Sequence, residues 1–141
     1  MSKKVLAALI FLAILAAFIA PAGLAFRHSG MGNEFVPEPR LLSPTGEEAD
    51  LTGRETLEFR WSPHEGSPTK RDYYDFRLYK GYDMLESTRI FKQRVGPRES
   101  GIFLKSGMFE DGAIYTWSLR QVYTGSVKSL KVFQSFRIIK R

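Results

Sequence analysis

Two histidines, two short acidic clusters and scattered hydroxyls are all that this chain offers toward chemistry. It has no cysteine, which removes thiol nucleophiles, thiolate metal sites and disulfides together. His64 is followed by Glu65, with Ser62 and Ser67 close by. A hydrolytic triad built from them would need a strained turn presenting the serine, and the G-x-S-x-G pattern of such a turn is missing. Neighbouring loop residues also seldom hold the geometry that passes a proton from serine to imidazole. His64 therefore reads as a solvated loop histidine, and His28 as part of a polar tether. Glu47, Glu48 and Asp50 form one acidic cluster, Glu110 and Asp111 the other. Calcium takes about six to eight oxygens at regular spacing. Neither cluster has that spacing, so both read as exposed turns. No glycine-rich phosphate loop and no zinc ligand set occur. The chain is expected to be no enzyme and to use no cofactor.

What remains is a question of surfaces, and the elements that carry them can be read from the pattern. At 141 residues the chain has room for one domain. Its 11 Phe, 6 Tyr and 2 Trp are a composition that extended structure favours. The formal charge of +6 falls to +4 without Lys3 and Lys4. That is too mild for a nucleic-acid binder, and no nucleic-acid partner is expected.

Residues 1–25 read as a signal peptide or an uncleaved membrane anchor. Lys3 and Lys4 precede an unbroken apolar run over residues 5–19, and Pro21 follows among small residues. Ala20-Pro21-Ala22 and Gly23-Leu24-Ala25 are the two cleavage patterns on offer. A spanning helix needs roughly 20 apolar residues, so anchorage over residues 4–25 is the competing reading. Either way the rest of the chain is expected to be exported: periplasmic, secreted or on the cell surface. Residues 26–38 lack periodicity and read as a flexible tether.

From residue 39 to the C-terminus the hydrophobic period is two. Seven strands are expected, over residues 40–43, 56–62, 73–81, 88–95, 101–105, 114–122 and 130–139. Leu57, Phe59 and Trp61 share one face of the second. In the third, Tyr74, Phe76 and Leu78 point one way and Tyr73, Asp75, Arg77 and Tyr79 the other. Tyr115, Trp117 and Leu119 line the inner face of the sixth. Each strand has one apolar face, so two antiparallel sheets stacked face to face are the expected architecture, an all-β sandwich. Trp61, Phe76, Leu104, Tyr115 and Trp117 are its expected core.

Four features resemble the fibronectin type III family of immunoglobulin-like sandwiches. They are the proline-flanked LLSPTG, the Trp61-Ser62-Pro63 ending of the second strand, the Tyr74-x-Phe76-x-Leu78 pattern, and Tyr115-x-Trp117-x-Leu119-x-x-Val122 after an Asp-Gly turn. The resemblance covers residues 39–139. It implies that Trp61 packs in the core and that the Tyr115 hydroxyl bonds back to the backbone before it, as a tyrosine corner. It also implies that the third, fourth, sixth and seventh strands share a sheet. The outward face of that sheet would then carry Tyr73, Arg77, Tyr79, Lys92, Arg94, Thr116, Ser118, Arg120 and Arg137, a basic surface with Asp75 its one acid. Arg and Tyr there suit an acidic partner, such as an envelope polysaccharide, a lipid headgroup surface or another protein. The same topology would cluster three loops at one end, bringing His64, Lys70 and Arg71 near Arg98 and residues 123–129.

The functional expectation is an exported interaction or structural module of the cell envelope. Its partner would be an envelope protein or an acidic polysaccharide, met through the basic face or the loop end. Membrane insertion is expected only through the N-terminal segment, if it is uncleaved. A small carbohydrate-binding protein, using Tyr73 and Tyr79 as stacking platforms, is one alternative. A membrane-anchored accessory subunit of an envelope complex is another.

Overall fold

The computed structural model describes residues 37–125 and 127–141. The expected leader and most of the tether lie outside the described residues. Eight strands follow in order: β1 (Leu41–Ser43), β2 (Glu48–Asp50), β3 (Thr56–Trp61), β4 (Tyr73–Lys80), β5 (Arg89–Val95), β6 (Gly101–Lys105), β7 (Ile114–Val122) and β8 (Val132–Ile139). They form a three-stranded sheet, β1-β3-β6, and a five-stranded sheet, β2-β8-β7-β4-β5. The all-β sandwich expected from the two-residue period is what the chain forms.

Two expectations need correction. There are eight strands, not seven, and the sheets are not wholly antiparallel, because β2 runs parallel to β8. The extra strand comes from the acidic stretch that reads as a turn. Glu48 and Asp50 are exposed, but Ala49 between them is buried, and so is Leu51. Burying those two apolar groups draws the backbone onto the free edge of β8. There the Arg137 N–H donates to the Glu47 carbonyl at 2.7 Å, and the Leu51 N–H to the Ile139 carbonyl at 2.8 Å. The last strand is also shorter than expected: it begins at Val132, leaving Leu130 and Lys131 before it.

The first part of the chain thus serves both sheets. β1 pairs with β3, and β2 crosses to β8. Pro44 sits at the crossing, buried, after a cis Ser43–Pro44 peptide. Its carbonyl accepts a 2.9 Å hydrogen bond from the Trp117 indole N–H. Trp117 is fully buried on β7, so this one bond ties the crossing to the middle of the large sheet.

Alternation places the core. β3 reads exposed-buried throughout, with Leu57, Phe59 and Trp61 inward. Phe59 meets Phe76 of β4 and Trp117 of β7 edge-on, at centroid separations of 5.1 and 5.2 Å, and Phe136 of β8 at 6.0 Å. Trp61 lies 5.3 Å from the Tyr74 ring. Ile102 and Leu104 of β6 complete the small sheet's inner face. Edge-to-face pairs of this kind add about 0.5–1.5 kcal/mol each beyond the area they bury.

Tyr115 is buried, and its hydroxyl accepts the Glu110 backbone N–H at 2.9 Å, the bond expected of it. The intervening turn needs Gly112, whose φ of 74° disfavours any side chain. Gly101 is required for a different reason: a Cβ there would stand 2.8 Å from the Phe59 carbonyl oxygen.

Trp117→Phe keeps the aromatic ring but leaves the buried Pro44 carbonyl without its donor. The expected cost is about 1–3 kcal/mol. A lower urea midpoint with an unchanged m-value would show it; an unchanged midpoint would mean that water replaces the indole.

Candidate functional site

Two surfaces were expected to bind, and their chemistry differs once the side chains are placed. The expected four strands do share a sheet, with Arg77 opposite both Ser118 and Lys92, and Asp75 opposite both Arg120 and Arg94. Part of the charge on its outer face is spent internally: Arg77 and Arg89 are in salt bridges, whereas among the described residues Lys92, Arg94, Arg120 and Arg137 are in none. Asp75 binds Arg77 through three contacts, the shortest 2.8 Å. Glu86, from the β4–β5 connection, lies 3.6 Å from Arg77 and also pairs with Arg89. The Arg77 guanidinium is held above its ordinary pKa, chiefly by the hydrogen bond to Asp75. Arg94 stacks on the Tyr73 ring at 4.6 Å. Arg137 is exposed and lines a recess of about 330 Å³ shared with Glu47, Glu48 and Tyr82. Arg120 is half-buried, and its Nε has no hydrogen-bond partner. Lys92 is exposed.

Tyr79 does not belong to that surface: it is 1 % exposed. The sheet alternation does point it outward. Arg89 stands opposite it in the β4–β5 register, and Arg77 lies two residues earlier on its own strand. Glu86 joins those two arginines. The linked Arg77, Glu86 and Arg89 side chains thus stand beside Tyr79 on that face. Thr116 and Ser118 are likewise buried, not exposed. Thr116 Oγ1 donates to the Gly81 carbonyl at 2.7 Å, and its hydroxyl lies 2.7 Å from Ser135 Oγ. Tyr73 and Tyr79 consequently do not form an exposed stacking pair.

The loop end is built differently. Its organiser is Asp72, which the sequence reading passed over. Asp72 is buried at the start of β4 and is bonded by two other residues. Thr69 gives its N–H at 2.8 Å and its hydroxyl at 2.9 Å. Thr124 gives its N–H at 2.9 Å and its hydroxyl at 3.1 Å. One carboxylate thereby ties the β3–β4 loop to the β7–β8 loop, 52 residues away. Burial pushes the carboxyl pKa up, but the four hydrogen bonds outweigh it and hold the value below the ordinary 3.8. The Tyr123 phenol, beside this staple, is raised by burial and by Asp72 and Glu65.

His64 is not the solvated loop residue expected. Its ring packs 5.4 Å from that of Tyr123, and both ring nitrogens are shielded from water with no hydrogen-bond partner among the described residues. No serine hydroxyl among the described residues bonds it, and Ser62 Oγ instead accepts the Arg40 N–H at 3.0 Å. The imagined triad is not assembled. Among the described residues, no group of three or more His, Cys, Asp or Glu is placed to hold a metal.

The third loop arrives beside the first. Pro68, Thr69 and Lys70 face Gly96, Pro97, Arg98 and Glu99 across a recess of about 330 Å³. Lys70 and Arg98 are both exposed, and no salt bridge among the described residues involves either. The three loops expected to converge do so, with Lys70 and Arg98 in one recess. No protein-family model matches this chain, and no curated protein does.

Asp72→Asn should loosen the loop end, since an amide cannot accept all four bonds as a carboxylate does. The native pKa is depressed, so the stabilisation is complete above about 3.9, the unfolded value. It is lost as pH falls through the native value. Wild type should unfold at higher urea than Asp72→Asn at pH 7, and the gap should close in acid. A gap independent of pH would mean that the carboxylate charge contributes nothing.

Proposed function

We propose that this chain is a non-catalytic, exported interaction module of the fibronectin type III kind, which takes an acidic envelope partner at its loop end. One observation carries the reading: Lys70 and Arg98 reach the same recess from different loops, and neither is ion-paired there. An ammonium and a guanidinium that line one recess attract carboxylate or phosphate oxygens. Pro68 and Pro97 add rigid apolar walls. Asp72 fixes Thr69, the neighbour of Lys70, so little ordering remains for a partner to impose.

The fibronectin type III reading is supported by the β1-β3-β6 sheet facing a sheet that contains β8-β7-β4-β5, by buried Trp61, and by the Tyr115 bond to Glu110. The parallel β2 is a departure that keeps related immunoglobulin-like sandwiches in view. An anchored accessory subunit would use the same recess from a membrane-tethered position. The basic sheet face is the weaker of the two surfaces, because Asp75 and Glu86 already occupy Arg77.

Lys70→Ser with Arg98→Ser should lower retention on an immobilised polyuronate, and association with an envelope extract, by at least about tenfold. Binding of the unaltered protein should weaken as salt is raised. Both substitutions fall on exposed side chains and should leave the unfolding midpoint in place. Undiminished binding by the double variant would remove the recess from consideration.

A further inference from the structure

Residues 127–133, Val-Lys-Ser-Leu-Lys-Val-Phe, do not line that recess and carry an unusual concentration of exposed apolar side chains. Eight large hydrophobic side chains are exposed among the described residues, and three of them fall in this short stretch. Leu130 is 72 % exposed, Phe133 58 % and Val127 38 %. Lys128 and Lys131 stand between them, and the stretch contains no acid. Backbone hydrogen bonds attach this stretch to the end of β7. The Val127 carbonyl accepts the Tyr123 N–H at 2.8 Å. Ser129 is buried; its N–H donates to the Gln121 carbonyl, and its hydroxyl accepts the Gln121 N–H and donates to the Leu130 carbonyl. Leu130 is thus held out by bonds on its own backbone, and Phe133 by its place on the outer face of β8, opposite Ser118.

We propose that this stretch docks the domain on the surface of an anionic lipid bilayer. Apolar side chains enter the boundary between headgroups and acyl chains, while lysines stay at the charged surface with their stems across it. Leucine, phenylalanine and two lysines without a carboxylate fit that layered environment. Charge also argues against a second copy of this chain as the occupant. A twofold contact sets the same patch against itself, bringing four lysines together with no acid of the stretch to offset them. The proposal adds a contact by the domain itself to any made by the N-terminal segment, and it is independent of the Lys70–Arg98 reading.

The absence of cysteine makes the test direct. Leu130→Cys in the full chain takes a single environment-sensitive fluorophore, on a side chain whose exposure makes the change harmless to folding. Phe103→Cys, also exposed but on β6 of the other sheet, is the control. In vesicles of phosphatidylcholine with phosphatidylglycerol, the label at residue 130 should shift to the blue and be quenched by lipid-borne spin labels. The label at residue 103 should remain as in water. Lys128→Ser with Lys131→Ser should weaken the partitioning that the residue-130 label reports roughly thirtyfold. A water-like label at residue 130, an equal response on pure phosphatidylcholine, or an equal response at residue 103 would each overturn the proposal. So would a blue shift that grows with protein concentration in the absence of lipid, which marks self-association.

Discussion

The structure depends on one ring. Phe59 stands in the middle of the small sheet and reaches aromatic side chains on three strands of the large one: Phe76, Trp117 and Phe136. A domain of this size without a disulfide must hold its sheets together through side-chain contact alone. Edge-on aromatic contacts do so with direction as well as area, since each ring edge seeks a π-face and tolerates little rotation. The sheets are thereby fixed in register with one another, not merely pressed together. Trp117 extends the constraint, because the ring that meets Phe59 also donates its N–H to Pro44. The same side chain that locks the sheets therefore fixes where the chain passes between them.

Consequences reach the surface by way of that crossing. Once Pro44 is pinned, the chain beyond it lies along β8, and Ala49 and Leu51 find apolar cover there. Glu47 and Glu48 are carried with them to the recess that holds Arg137. A cation that would otherwise add to a basic face thus gains acidic neighbours. At the other side of the same sheet, Glu86 does the equivalent for Arg77 and Arg89. The outer face is thereby partly neutralised at Arg77, Arg89 and Arg137, while Lys92, Arg94 and Arg120 are in no salt bridge among the described residues.

The strands were legible in the sequence because their aromatic residues alternate without interruption. The pattern of β3, β4 and β7 announces which face is buried, and Trp61, Phe76, Leu104, Tyr115 and Trp117 are all where the period places them. β2 was not legible: three residues with a single apolar side chain, flanked by acids, carry too little pattern to separate a strand from a turn. Tyr79 and Ser118 were misread for a different reason. Their direction follows from alternation, but their cover comes from other segments, which a local period cannot report. Asp72 was passed over because an aspartate after Lys70 and Arg71 looks like an ordinary surface charge. Only the fold brings Thr124 to it from 52 residues away. The convergence of the loops was anticipated through the resemblance, while the recess between Pro68 and Pro97 was not.

The two candidate surfaces differ in how much of their interaction capacity is already used. A guanidinium bound to Asp75 must give up that partner, or share it, before it can serve another molecule, and the exchange returns little net free energy. Lys70 and Arg98 are exposed and in no salt bridge among the described residues, with Glu99 the one acid lining their recess. The usual penalty of a loop site is the ordering of loops, about 0.5–1.5 kcal/mol for each side chain immobilised. Here part of that cost falls on folding instead, because Asp72 ties Thr69 to Thr124 before any partner arrives. Free charge and a tied backbone therefore coincide at the loop end, whereas on the sheet face Arg77, at the centre, is already engaged by Asp75 and Glu86. That asymmetry makes the loops the better place to look for recognition. It comes from acids placed by the fold, not from the distribution of basic residues along the chain.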